Sequence, residues 1–101
     1  HEVKCTLEDV VREGTRVLKP GGRFFMVHRP RRLIEIITVM KRHGLEPKRM
    51  KMVHPYADRE ANMVLIEAVR GGGPLLKMEA PVIVFDQNGE YSPEIRTTYG
   101  Y

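Results

Sequence analysis

The chain contains no tryptophan, one cysteine and one serine. It has no apolar run approaching the roughly 20 residues of a membrane span. Each shortage removes a class of function. A helical membrane anchor is not expected, and the polar opening from His1 to Asp9 lacks the apolar centre of a signal peptide. Cys5 alone cannot form an internal disulfide, which fits a reducing compartment and a cytoplasmic protein. A serine triad would have to be built on Ser92, which lies in a turn-like tail. The histidines, His1, His28, His43 and His54, stand at no ligand spacing, so no metal site is expected. The carboxylates are scattered and no pair meets the geometry that acid–base catalysis requires. Gly71-Gly72-Gly73 follows a late strand and precedes Pro74, where a phosphate loop should open a helix. No catalytic or cofactor-binding residue is therefore assigned within these 101 residues.

What is present is one domain's worth of chain with 42% hydrophobic residues, enough for a modest core. The net charge of +4 is concentrated: residues 19–51 carry ten Lys or Arg against Glu35 and Glu46. Such a block suggests a polyanionic partner, although a solvated helix face accounts for it equally well.

The periodicities predict an ordered series of elements. Leu7, Val10, Val11, Gly14, Val17 and Leu18 form one stripe of a helix over Thr6–Leu18, with Thr6 and Asp9 as a capping box and Pro20-Gly21 as its stop. The continuous apolar run Phe24–Val27 predicts a strand over Arg23–His28, buried on both faces as in a parallel sheet. Leu33, Ile36, Ile37 and Met40 predict a helix over Arg31–His43, with Gly44 as a left-handed C-cap. Strands follow over Lys48–His54 and Asn62–Val69, with Met50 and Met52 read as core filler. Val82–Phe85 and the Asn88-Gly89 turn suggest a small terminal hairpin, and residues 92–101 a short helix or a frayed tail.

The first strand, second helix and second strand make a β-α-β unit, whose strands run parallel and end on one edge. In open α/β sheets that carboxyl edge is where ligands sit. The segments His28-Arg29-Pro30-Arg31-Arg32 and His54-Pro55-Tyr56-Ala57-Asp58-Arg59 emerge there. His28, Arg29, Arg31, Arg32, His54, Tyr56 and Arg59 are therefore the candidate RNA-binding residues: arginines for phosphates, Tyr56 for a splayed base. Lys41, Arg42, Lys48, Arg49 and Lys51 lie toward the other end and read as solvated surface.

The Leu18-Lys19-Pro20-Gly21-Gly22 turn between helix and strand resembles the late part of the class I S-adenosylmethionine-dependent methyltransferase domain. Several further stretches follow in order: His1–Asp9, Met26-Val27-His28-Arg29-Pro30, Leu45–Arg49, His54-Pro55-Tyr56 and Asn62–Glu67. Together they resemble the bacterial tRNA adenine-N6 methyltransferase family that modifies valine tRNA beside the anticodon. The resemblance implies an α/β, Rossmann-like sheet in which the third strand inserts antiparallel between the first two. It implies S-adenosyl-L-methionine as cofactor, tRNA as partner and methyl transfer to the N6 amine of adenine. The family's glycine-rich cofactor loop, the acid ending its second strand and its Asn-Pro-Pro-Tyr motif do not occur here. Residues 1–101 are accordingly expected to be one partial domain, the carboxyl-terminal half of the enzyme, supplying sheet core and a substrate-side rim and inactive alone. The edge of strand 23–28 would then be bare, inviting either self-association or pairing with an amino-terminal half. The alternative is a non-catalytic basic α/β module that binds RNA.

Overall fold

The computed structural model describes residues 5–99. Helix α1 (Leu7–Arg16) leads to β1 (Arg23–His28), a single 3₁₀ turn over Pro30–Arg32, α2 (Leu33–Arg42), β2 (Leu45–His54) and β3 (Met63–Arg70). Two short strands, β4 (Lys77–Met78) and β5 (Val82–Ile83), and helix α3 (Pro93–Tyr99) complete the described chain. Among the described residues no helix is long and apolar enough to cross a membrane.

The sheet order is β1-β3-β2-β4, with β5 also on the outer edge of β2. β3 runs antiparallel to both β1 and β2, while β4 and β5 run parallel to β2. The inserted antiparallel strand is thus where the sequence resemblance places it. The mixed α/β class is established.

The caps follow from local chemistry. Thr6 accepts from the Asp9 amide, and the Asp9 carboxylate accepts from the Thr6 amide, each at 3.1 Å. This satisfies two amides that the first helical turn leaves unpaired. α1 closes at Arg16 with Val17 as C-cap, earlier than its apolar stripe, because Lys19, Pro20 and Gly21 turn the chain. Gly44 has φ +75°, the left-handed geometry its position after α2 requires.

β2 begins at Leu45, three residues before the strand read from the sequence, and runs through Pro47. The reason is a bulge: Pro47 pairs with Ala68 and Arg49 with Glu67, which leaves Lys48 as an extra residue. Leu45 and Pro47 point into the core before it, and Met50 after it. The bulge shifts the phase of the alternation and tolerates proline, so neither signal for a strand survives in the sequence.

Both long helices lie on one face of the sheet. There Val11, Ile36, Val39, Met40, Leu45, Met50, Val64, Ile66 and Ala68 form the core, with Phe24, Met26 and Met52 packed against it. Each fully buried large side chain in that set contributes about 1.5–3 kcal/mol relative to exposure. Thr15 is buried as well, its hydroxyl donating to the Val11 carbonyl at 2.6 Å.

The opposite face corrects one expectation. β1 is not buried on both sides: Phe24 and Met26 turn toward the helices, whereas Phe25 remains 69% and Val27 55% exposed. No described element packs on that side. A shallow hollow of about 370 Å³ crosses it, floored by Phe25, Val27 and Leu65 and walled by Arg49, Glu67 and Glu79. Glu67 stands between Arg23 (3.3 Å) and Arg49 (3.5 Å), and Arg49 also meets Glu79 at 2.7 Å. The outer edge of β1 pairs with no described strand.

Candidate functional site

Because β1 and β2 are parallel, His28 and His54 finish at the same edge of the sheet, with the start of β3 between them. The loop 55–62 covers this edge and divides it into two grooves.

The first groove, about 530 Å³, is lined by Arg29, Pro30 and Arg31 on one side and Glu60, Ala61 and Asn62 on the other. It joins the first of the two segments that the sequence pattern brings to this edge to residues just beyond the second, so Arg29 and Arg31 do not share a groove with Tyr56 and Arg59. Arg29 and Arg31 are exposed, and among the described residues neither guanidinium has an ion pair. Arg32 differs: it clamps Glu35 through Nε (2.9 Å) and Nη2 (2.6 Å), and this pair holds the Glu35 carboxyl below its usual range. The Arg29 amide donates to His28 Nδ1 at 2.8 Å, which fixes the turn of the chain out of β1.

The second groove, about 580 Å³, is lined by Tyr56, Asp58 and Arg59 facing Ile83, Phe85, Asp86 and Gln87. His54 Nδ1 donates to the Arg59 carbonyl at 2.7 Å, so this imidazole holds the loop closed and leaves the Arg59 guanidinium outside. Tyr56 is 37% exposed, and its ring centroid lies 5.4 Å from that of Phe85. Arg59 has no ion pair among the described residues.

Phe85, Asp86 and Gln87 were not among the site residues read from the sequence. Backbone bonds put them there: Val84 N donates to the His54 carbonyl and Phe85 N to the Pro55 carbonyl, both at 2.9 Å. The terminal segment thereby extends β2 past its own end. The visible signal was the aromatic pair flanking the Asn88-Gly89 turn. Phe85 and Tyr91 face each other across it as an antiparallel bridge, and Gly89 has φ +79°.

The basic residues away from this edge are largely engaged within the chain. Lys41 meets Glu46 at 3.0 Å, Arg42 meets Glu8 at 2.6 Å, and Lys48 donates to the Gly73 carbonyl at 2.9 Å. Arg49 and Lys51 line the open hollow on the uncovered face, where Arg49 stays about half exposed. No cluster of metal-ligating side chains exists among the described residues.

The glycine turns after β3 and before β1 present no free amide at Gly71 or Gly21 for a cofactor such as S-adenosylmethionine. Gly71 follows β3 at the end of the sheet opposite the grooves, and its amide closes onto the Gly44 carbonyl at 2.9 Å. The Gly21 amide is likewise occupied by the Arg70 carbonyl at 2.8 Å.

The strand order and the helices on one face define a methyltransferase-like fold. No protein-family model matches the chain, and no curated protein matches it by sequence. Among solved structures it is similar to a predicted O-methyltransferase, protein Atu636 from Agrobacterium tumefaciens, with a TM-score of 0.82 at 22% identity. The match covers 93% of this chain and 45% of that one, so the chain spans less than half the length of this relative. A likeness at this identity establishes the fold.

Proposed function

We propose that the chain is the carboxyl-terminal half of an S-adenosylmethionine-dependent methyltransferase that acts on the N6 amine of adenine in tRNA. The observation that carries the reading is the edge where β1 and β2 end, with Arg29 and Arg31 on one side of loop 55–62 and Tyr56 and Arg59 on the other. Guanidinium groups without an ion pair in each of the two grooves suit a phosphate backbone that crosses loop 55–62, and a half-exposed tyrosine suits a base turned out of its stack. Base-modifying enzymes must extrude their target, so a rim that grips flanking nucleotides serves the reaction without performing it. Methyl transfer and cofactor binding belong to residues outside this chain, because the glycine turns at Gly21 and Gly71 present no free amide for the cofactor.

The uncovered sheet face supports the same reading. In a layered α/β domain, a sheet with apolar residues on both sides is covered on both sides. Phe25, Val27, Leu65 and the free edge of β1 would meet the amino-terminal half of the domain, or a second copy of this chain where that half is missing. A cytoplasmic setting fits the tRNA substrate.

Binding of an unmodified valine tRNA to the chain tests the rim. Replacing Arg29, Arg31 and Arg59 together by Ala should weaken binding. It should also flatten the salt dependence by about 0.7 for each phosphate no longer neutralised, if the loop is single-stranded. Unchanged affinity at moderate salt would refute the assignment. Tight S-adenosylmethionine binding by these residues alone, measured by calorimetry, would overturn the half-domain reading. A complete protein that binds RNA with a salt-dependent affinity but neither binds S-adenosylmethionine nor methylates would favour a non-catalytic RNA-binding module.

A further inference from the structure

Three aromatic rings stand in a row beside the groove between loop 55–62 and the terminal segment, and two of them, Tyr56 and Phe85, line it. Tyr56 and Phe85 have centroids 5.4 Å apart with planes inclined at 34°. Phe85 and Tyr91 lie 5.5 Å apart at 20°, nearly parallel. Two of these rings come from a segment that the proposed RNA rim did not include. Tyr56 and Tyr91 are 37% and 42% exposed.

The row is held rigidly. Phe85 N and Val84 N anchor it to the end of β2. Ser92, buried although polar, donates through Oγ to the Ile83 carbonyl at 2.6 Å and through its amide to the Val84 carbonyl at 2.8 Å. Asp86 Oδ1 accepts the amides of Asn88 (2.9 Å) and Glu90 (3.0 Å), which locks the turn. The chain thus keeps aromatic rings at a groove mouth by a network of bonds that leaves the groove itself open.

The chemistry around the rings is specific. Arg59 supplies a cation on the loop side, while Asp58, Asp86 and Gln87 supply acceptors on the walls. A flat aromatic ligand carrying an exocyclic amine for the acceptors and a phosphate for Arg59 matches all three features. An apolar peptide side chain would leave Arg59 and the acceptors unused. We infer that the outer face of Tyr56, backed by Phe85, forms a stacking subsite for one unpaired, amine-bearing nucleobase, with Arg59 on its phosphate. The subsite rests on the RNA reading of the rim and adds to it a base-holding position built by the terminal segment. Stacking on aromatic side chains is sequence-tolerant, so the subsite grips a nucleotide beside the target and leaves sequence choice to the walls.

The test titrates the 101-residue chain with a short single-stranded RNA carrying 2-aminopurine, whose fluorescence falls when it stacks. Quenching is expected; Tyr56→Leu should abolish it and weaken binding about tenfold, and Phe85→Leu, which removes the ring behind Tyr56, should reduce both by less. The salt dependence should stay unchanged in these two variants and fall in Arg59→Ala. Phe85→Tyr, which keeps the ring and the packing, should bind like the parent, separating lost stacking from lost folding. RNA binding that depends on Arg29 and Arg31, with no quenching and no effect of either leucine variant, would overturn the subsite and leave the rim standing. In a second arm, adenosine monophosphate is added while the ring protons of Tyr56 and Phe85 are followed by NMR. Shifts of these protons without any RNA binding would retain the subsite and remove the RNA reading. Absence of both responses would remove both.

Discussion

Gly14 sets how closely α1 approaches the sheet, and Gly14→Ala is the sharpest test of that packing. On helix propensity alone the substitution stabilises, since glycine inside a helix is about 0.8–1.0 kcal/mol worse than alanine. The structure reverses the sign. A Cβ at position 14 would stand 2.2 Å from Phe24 Cε2 and 2.8 Å from Cδ2. Ordinary contact begins near 3.4 Å, so the ring must retreat by about 1.2 Å or the helix must lift. Phe24 is packed against the core cluster and cannot swing freely. Overpacking of this kind costs about 1–3 kcal/mol, which exceeds the propensity gain. A net loss of about 1 kcal/mol is expected, equivalent to a fall in melting temperature of about 4–8 °C for a domain of this size. Urea denaturation of the parent and of Gly14→Ala measures it, and the double variant Gly14→Ala/Phe24→Leu should recover most of the loss because leucine is shorter. Stabilisation by Gly14→Ala in the parent background would refute the close approach of α1 to β1.

Three further outcomes are expected. Gly44→Ala should destabilise by about 1 kcal/mol, because φ +75° costs an L side chain roughly that much, and nothing within 4 Å would meet the new methyl; an unchanged urea midpoint would count against this. Glu8 joins the start of α1 to the end of α2 through His43 (2.5 Å) and Arg42 (2.6 Å), and the His43 bond chiefly holds its carboxyl below the ordinary value. A depressed folded pKa means stabilisation that is full above the unfolded value and lost as pH falls through the folded one. Glu8→Gln should therefore lower the melting temperature at neutral pH and flatten the acid side of the stability profile, whereas a parallel shift at all pH values would contradict the pair. Finally, Phe25→Asp and Val27→Asp should leave the chain's melting temperature within about 2–4 °C, since surface changes are usually small. They should also remove any concentration-dependent mass seen by light scattering, and a parent chain that stays monomeric at high concentration would exclude self-association through this face.

The order of the elements was legible because it rests on strong local signals, whereas the antiparallel place of β3 came from the family resemblance alone. Capping at Thr6 and Asp9, the Gly44 stop and two apolar runs each carry a local physical cause. The carboxyl edge was legible because parallel strands must end together. Three features were hidden. The extra residue at Lys48 shifted the inward phase from Leu45 and Pro47 to Met50, so the start of β2 looked like a loop. The run Phe24–Val27 fits burial on two faces, and no periodicity reveals that the described chain supplies helices for only one. Phe85 joined the site through backbone bonds to His54 and Pro55, which leave no trace in side-chain patterning. Among the candidate residues, Arg32 and His54 turned out to be engaged inside the chain, because Glu35 stands one helical turn on and the Arg59 carbonyl folds back onto the ring.

The central place of β3 also dictates the order in which the sheet can assemble. β1 and β2 never touch; every hydrogen bond that unites them passes through a strand that comes last of the three in the chain. β2 and β3 are joined by a short connection, 55–62, so their antiparallel pairing closes a small loop and is entropically cheap. The pairing of Arg23 with Val69 closes a far longer one. The hairpin of β2 and β3 is therefore expected to form first, with β1 and α1 docking onto a completed edge afterwards. In hydrogen exchange, the amides shared by β2 and β3 should outlast those shared by β1 and β3.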